Sequence, residues 1–139
     1  MERLIGDIKA TKGISPKKII TEFEPTTIYI PEGRFLMGSQ PGEEIPEYET
    51  PQHEVNLPAY YIGESPVKNS EYEEFVRQTG KLVPPIMGWN GQSFPDGQGD
   101  YPLLGITWDE AVRYCEWIGH VTGRKYTLPN EAQWEKACR

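Results

Sequence analysis

The sequence predicts a loop-rich α+β fold, and three observations carry that reading. Two segments place apolar residues at helical spacing behind capping-box signatures, and several short stretches rich in β-branched and aromatic residues read as strands. The third is punctuation: 14 Gly and 13 Pro in 139 residues exclude long uninterrupted helices. Four Trp, eight Tyr and four Phe supply rings to pin the loops, whereas disordered chains are poor in aromatics. The length suits one domain with a buried core.

Residues 1–25 read as an N-terminal extension or linker, in which Leu4, Ile5 and Ile8 make one weak apolar stripe and Ser15-Pro16 can start a short helical turn. The domain proper is taken as 26–139. Residues 26–30 form a strand, Pro31-Glu32-Gly33 a turn and residues 34–37 the next strand, together a predicted hairpin. Residues 40–52 carry Pro41, Pro46 and Pro51 among Glu43, Glu44, Glu47 and Glu49, the pattern of an exposed, stiffened acidic loop. Strands follow at 54–57 and 60–62.

The first helix starts near Asn69-Ser70, where Ser70 and Glu73 have capping-box spacing. Tyr72, Phe75 and Val76 form its apolar face and Gly80 its stop. Residues 82–103 contain Pro84, Pro85, Pro95 and Pro102 with Gly88, Gly91, Gly97 and Gly99, so they form a long loop pinned by Trp89 and Phe94. Thr107 and Glu110 make the best capping box, leading into a helix with Ala111, Cys115 and Ile118 on one face, widened by Tyr114 and Trp117 and ended by Gly123. Residues 124–128 read as a short strand or link, and Asn130 opens a last helix holding Trp134 and Ala137.

Charge and composition then exclude whole classes. With 14 basic against 21 acidic residues the formal charge is −7, contrary to a nucleic-acid binder, and the only basic clusters are Lys17-Lys18 and Arg124-Lys125. No apolar run approaches the roughly 20 residues of a membrane span, and Met1-Glu2-Arg3 leads into no signal-peptide core. The expectation is a soluble, cytoplasmic protein in which Cys115 and Cys138 are reduced, buried thiols. Two cysteines so spaced make neither a thiol zinc site nor a CxxC motif. His53 reads as a histidine hydrogen-bonded near a strand start, and His120 as a favourable residue at a helix C-terminus. Asp96 and Asp100 flank a glycine-rich stretch, but the third acid and distant Glu of a calcium loop are missing, so a turn is expected. No catalytic, cofactor-binding or metal residue is assigned in the chain.

Five blocks in order have a wider likeness: GRFLMGS (33–39), ETPQHEVNLPAYYIG (49–63), PVKNSEYEEFV (66–76), GITWDEAVRYCEW (105–117) and GRKYTLPNEAQWEKACR (123–139). From about residue 26 to Arg139 the chain resembles the formylglycine-generating enzyme, or sulfatase-modifying factor, family. The resemblance implies a variant of the C-type-lectin fold and, in the family, oxidation of a substrate cysteine by molecular oxygen at Cu(I). It also implies that the copper-binding cysteines and principal calcium ligands lie beyond Arg139, so no cofactor is expected within this chain and the domain is expected to be its N-terminal half only. Glu131, Trp134 and Glu135 match a structural block of the family, for which a helix cap and a buried ring are expected. Lys68, Asn130 and Gln133 depart from the family's usual Thr, Thr and Glu. Asn130 can still cap a helix through its side-chain oxygen, and Lys68 stands where a small hydroxyl would hydrogen-bond locally, with Asn69 and Ser70 still available for capping.

The functional expectation is therefore a domain inactive by itself that serves as a scaffold or a protein- or peptide-binding module. The alternative is half of an oxygen- and copper-dependent oxidoreductase, completed by a complementary C-terminal half. A half-domain is expected to leave aromatic surface facing water.

Overall fold

The computed structural model describes residues 7–8 (backbone), 22–42, 44, 47–49, 51–81, 83 and 87–139. The apolar stripe and helical turn expected near Leu4, Ile5 and Ser15-Pro16 lie outside them. Helix α2 (Trp108–Thr122) runs through the core, and its sequence explains why. Glu110 donates its backbone N–H to Thr107 Oγ1 at 3.2 Å, while its carboxylate accepts the Thr107 N–H at 2.7 Å. Gly123, left-handed at φ 70°, ends it. The predicted face of Ala111, Cys115 and Ile118 is buried, together with Tyr114.

Helix α1 (Asn69–Thr79) buries Tyr72, Phe75 and Val76 against α2 and stops at Gly80. Its cap is not the Ser70–Glu73 pair expected. Lys68 occupies the N-cap, and the Glu71 carboxylate accepts its N–H at 2.8 Å. A lysine side chain cannot accept a hydrogen bond, so the long loop supplies acceptors instead: Asn69 N–H donates to Tyr101 O and Ser70 N–H to Gly99 O, both at 3.0 Å. Helix α3 (Glu131–Cys138) starts with the expected Asn130 cap, whose side chain accepts the Gln133 N–H at 2.8 Å.

Two antiparallel sheets complete the fold. One has strands β2 (Thr27–Ile30), β5 (Tyr60–Gly63), β1 (Asp7–Ile8) and β6 (Tyr126–Thr127), in that order. The other pairs β3 (Gly33–Met37) with β4 (His53–Leu57), and a short 3-10 turn covers Glu47–Glu49. The predicted hairpin of residues 26–37 does not form. Its two strands exist but join different sheets, because β2 finds Ile62 and Tyr60 opposite Ile28 and Ile30, while β3 sets Phe35 against Val55. Strand β6 is shorter than the predicted 124–128.

The core is largely aromatic. Tyr114 lies 5.6 Å from Tyr72, 5.7 Å from Phe75 and 6.0 Å from Trp117, centroid to centroid. In the loop, Trp89 packs on Tyr72 and Phe94, as its sequence suggested, and Leu103 N–H donates to Val67 O at 2.8 Å. The ring of Trp134, expected to be buried, is 38% exposed, and that of Trp108 is 57% exposed. Trp134 sits one position beyond Gln133, the residue that α3 buries, and so lies about 100° round the helix from it. Among the described residues no helix is long and apolar enough to cross a membrane.

Candidate functional site

The polar groups of the fold converge where α3 meets the end of β3. Gly38 turns with φ 90°, a conformation natural only to glycine, and brings Ser39 N–H to within 2.7 Å of Glu49 O. Its own N–H donates to Glu135 Oε1 at 2.8 Å, and its carbonyl accepts from the Arg139 guanidinium at 2.8 Å and from Gln52 Nε2 at 3.3 Å. Arg139 also donates to Glu135 Oε1 at 2.7 Å, one helical turn away. Lys136 reaches Pro31 O at 2.7 Å and Gly33 O at 3.2 Å. Hydrogen bonds from Arg139 and then from the Gly38 N–H hold the Glu135 carboxyl below its ordinary range, with a smaller contribution from His53. A carboxylate so engaged is ionised and spoken for, and the junction is a lock between α3 and the end of β3.

His53 stands beside this lock. Its Nδ1 lies 3.1 Å from Pro51 O, which can only accept, so Nδ1 is the donor in that bond. This is the hydrogen-bonded histidine at a strand start that the sequence suggested. His120 is exposed in the last turn of α2.

The structure separates the two thiols by environment. Cys115 is 4% exposed within the aromatic core, whereas Cys138, also expected to be buried, is exposed as the last residue of α3. Asp96 and Asp100 belong to a turn, with Gln98 N–H donating to Pro95 O and Tyr101 N–H to Gln98 O, each at 3.1 Å, and Asp100 Oδ1 lies 3.7 Å from Lys68 Nζ. Among the described residues no group of three or more His, Cys, Asp or Glu side chains is placed to hold a metal ion. Cu(I) asks for closely placed soft thiolates and Ca²⁺ for a cage of oxygens, and the described residues bring together neither set.

A second polar constellation escaped the sequence reading. Glu24, its side chain 8% exposed, accepts from Arg124 at 3.0 Å and from the Tyr126 hydroxyl at 2.6 Å. Burial first, then the bond to Glu24, pushes the Tyr126 phenol well above its ordinary range. Arg124, half of an apparent basic cluster, is thus committed inside the fold. The partners lie 100 residues apart and carry no local signal.

Large apolar side chains meanwhile face water. Ile28, Tyr29, Leu36, Tyr48, Tyr101, Leu104, Trp108 and Trp134 are all exposed. In the acidic loop Glu44 and Glu47 are exposed, and Glu49 accepts from Ser39 Oγ at 3.1 Å; Glu43 lies outside the described residues.

The fold and this arrangement define an α+β domain architecture in which the polar groups just described hold α3 to the end of β3 and Glu24 to Arg124 and Tyr126. Residues 15–139 match the sulfatase-modifying factor enzyme 1-like domain, and the chain belongs to that family. It is 29% identical to the formylglycine-generating enzyme of Bos taurus over an alignment covering 79% of this chain and 38% of the relative. It is 32% identical to the hercynine oxygenase of Mycolicibacterium smegmatis, covering 81% of this chain and 31% of that protein. The chain thus spans about a third of the length of these relatives. The structure of PvdO from Pseudomonas aeruginosa superposes with a TM-score of 0.70 at 22% identity, covering 88% of this chain and 51% of that one, which shows the shared fold.

Proposed function

We propose that this chain is a structural segment of a formylglycine-generating-enzyme-like domain: inactive by itself, it presents apolar surface to a protein or peptide partner or to a complementary C-terminal half. The observation that carries the reading is the donor set: one thiol inside the core, one outside, and no metal-ligating cluster among the described residues. The exposed rings of Trp108 and Trp134 support the docking role, since a polar fold gains nothing by wetting indoles. The loop-rich pair of antiparallel sheets fits the C-type-lectin variant expected of the family, and a cytoplasmic setting, where thiols stay reduced, suits Cys115 in the core.

The second reading, half of an oxygen- and copper-dependent oxidoreductase that converts a substrate cysteine to formylglycine, is favoured by the likeness to an enzyme of that name. The test is mass spectrometry of a cysteine-containing peptide incubated with the chain, Cu(I) and oxygen. The proposal expects no aldehyde product from the chain alone; product formed with the chain alone refutes it. Product formed only when a family C-terminal segment is added supports the second reading.

A further inference from the structure

The sequence holds four asparagines, and the structure gives each a different setting. Asn69 is 6% exposed, its Nδ2 donates to Gln98 O at 2.9 Å, and the N–H that follows it, of Ser70, donates to Gly99 O at 3.0 Å. Asn130 spends its side-chain oxygen on the Gln133 N–H. Asn56 lies within the β3–β4 ladder and is followed by the branched Leu57. Asn90 differs. It opens a two-residue hairpin turn, closed by Asn90 N–H to Ser93 O at 2.9 Å and Ser93 N–H to Asn90 O at 3.2 Å, and both it and Gly91 are exposed. Among the described residues no hydrogen bond engages the Asn90 side chain or the Gly91 N–H, and nothing lies within 4 Å of where a Cβ on Gly91 would stand.

From this setting we propose that Asn90 is a site of spontaneous, enzyme-free modification, in which its side chain closes a ring on the Gly91 nitrogen and the ring then hydrolyses to aspartate and isoaspartate. A backbone amide is a weak nucleophile, so the step needs an N–H free to lose its proton to hydroxide, a carboxamide free to rotate and no side chain on the following residue. The Gly91 nitrogen forms a bond to Asn90 Cγ as the Cγ–Nδ2 bond breaks, and Nδ2 leaves as ammonia with a proton taken from water. Water then opens the five-membered imide on either side. Cleavage at Cγ leaves aspartate in an unaltered main chain, whereas cleavage at the Asn90 carbonyl carbon leaves the main chain running through the side chain. Nothing is oxidised or reduced; one water is consumed and one ammonia released. Both products add a negative charge to a chain already at −7. Isoaspartate also lengthens the main chain by a methylene and turns the carbonyl that accepts from Ser93 into a free carboxylate. The change falls between Trp89 and Phe94, whose rings stand 5.9 Å apart, and Trp89 is the ring that pins this loop to Tyr72.

The test is peptide mapping by mass spectrometry of the full chain aged in mildly alkaline buffer, folded and denatured, with Gly91→Ala and Asn90→Gln alongside. In the folded chain the peptide bearing Asn90 should gain the mass difference between an amide NH₂ and a hydroxyl and split into two chromatographic products, several-fold faster than the peptides bearing Asn56, Asn69 or Asn130. Gly91→Ala should slow this several-fold and Asn90→Gln abolish it. Denaturation should release Asn69 while changing the rate at Asn90 little. Either of two results overturns the proposal: an Asn90 amide that persists in the folded chain but is lost on denaturation, or conversion of Gly91→Ala at the parent's rate. If Gly91→Ala does not fold, the parent's folded and denatured rates decide.

Discussion

Replacing Gly38 by Ala tests the lock between α3 and the end of β3. An added Cβ would sit 2.6 Å from Glu49 O and 3.3 Å from Pro51 O, both backbone atoms that no side-chain rotation can move aside. The residue also keeps φ 90°, which costs an L-amino acid about 1–2 kcal/mol. Relieving the clash pulls Glu49 and Pro51 away and strains two bonds, Ser39 N–H to Glu49 O and Gly38 N–H to the Glu135 carboxylate, together worth about 2–3 kcal/mol. The expected loss is therefore about 3–5 kcal/mol. At about 2.1 cal/mol/K of unfolding entropy per residue over 139 residues, that lowers the midpoint by about 10–17 °C. Gly80→Ala is the control: its φ is 66°, but nothing lies within 4 Å of the new methyl group. Only the backbone term applies there, about 3–7 °C. Both variants gain equally from a stiffer unfolded chain, so their difference isolates the clash. Circular-dichroism melts of the two proteins decide the matter, and midpoints within about 2 °C of each other would refute the reasoning.

Other variants probe the caps, the buried pair and the pH response. Lys68→Thr supplies the side-chain acceptor that α1 lacks at the cost of one exposed ion pair, and denaturant titration should show a gain of about 0.5–1 kcal/mol; Thr107→Ala should lose about 1 kcal/mol. Arg124→Leu leaves the Glu24 carboxylate with Tyr126 alone and should cost about 2–4 kcal/mol, more than Glu24→Gln, which leaves the better exposed Arg124 to water and keeps an amide oxygen to accept from Tyr126. Glu135 has a folded-state pKa below its ordinary 4.5, so its stabilisation is present above that pH and fades as pH falls through the lower folded value. Melts of Glu135→Gln in this acid range should show a shallower decline than the parent. Glu71 has the opposite sign: burial raises its pKa above 4.5, so its contribution is present at low pH and fades as pH rises through the folded value, a slope that Glu71→Gln should remove.

Local chemistry was legible where it was local. Thr107 with Glu110, Gly123, Gly80 and Asn130 set helix ends through atoms a few residues away, and the sequence marks each of them. Pairings across the chain were not legible. The turn at Pro31-Glu32-Gly33 has the composition of a hairpin, yet it carries the chain from one sheet to the other, because strand partners are chosen by apolar neighbours at 53–63 rather than by the turn. The same limit hid Glu24 with Arg124, 100 residues apart, and Glu135 with Gly38, 97 apart. Lys68 misled the reading of α1 because its own carboxylate partner, Glu71, and the carbonyls of a distant glycine loop took over a task that sequence assigns to a side chain. Trp134 was expected in the core on block resemblance alone. The short α3 turns Gln133 inward and leaves the indole outside.

The central claim is that this chain supplies scaffold and docking surface without a redox-metal site, and Cu(I) titration of the full chain against a competing chelator tests it most directly. The account predicts that the chelator keeps the metal, because Cys115 is enclosed in the aromatic core while Cys138 faces solvent. Stoichiometric binding that survives the chelator and is lost in both Cys115→Ala and Cys138→Ala would contradict it.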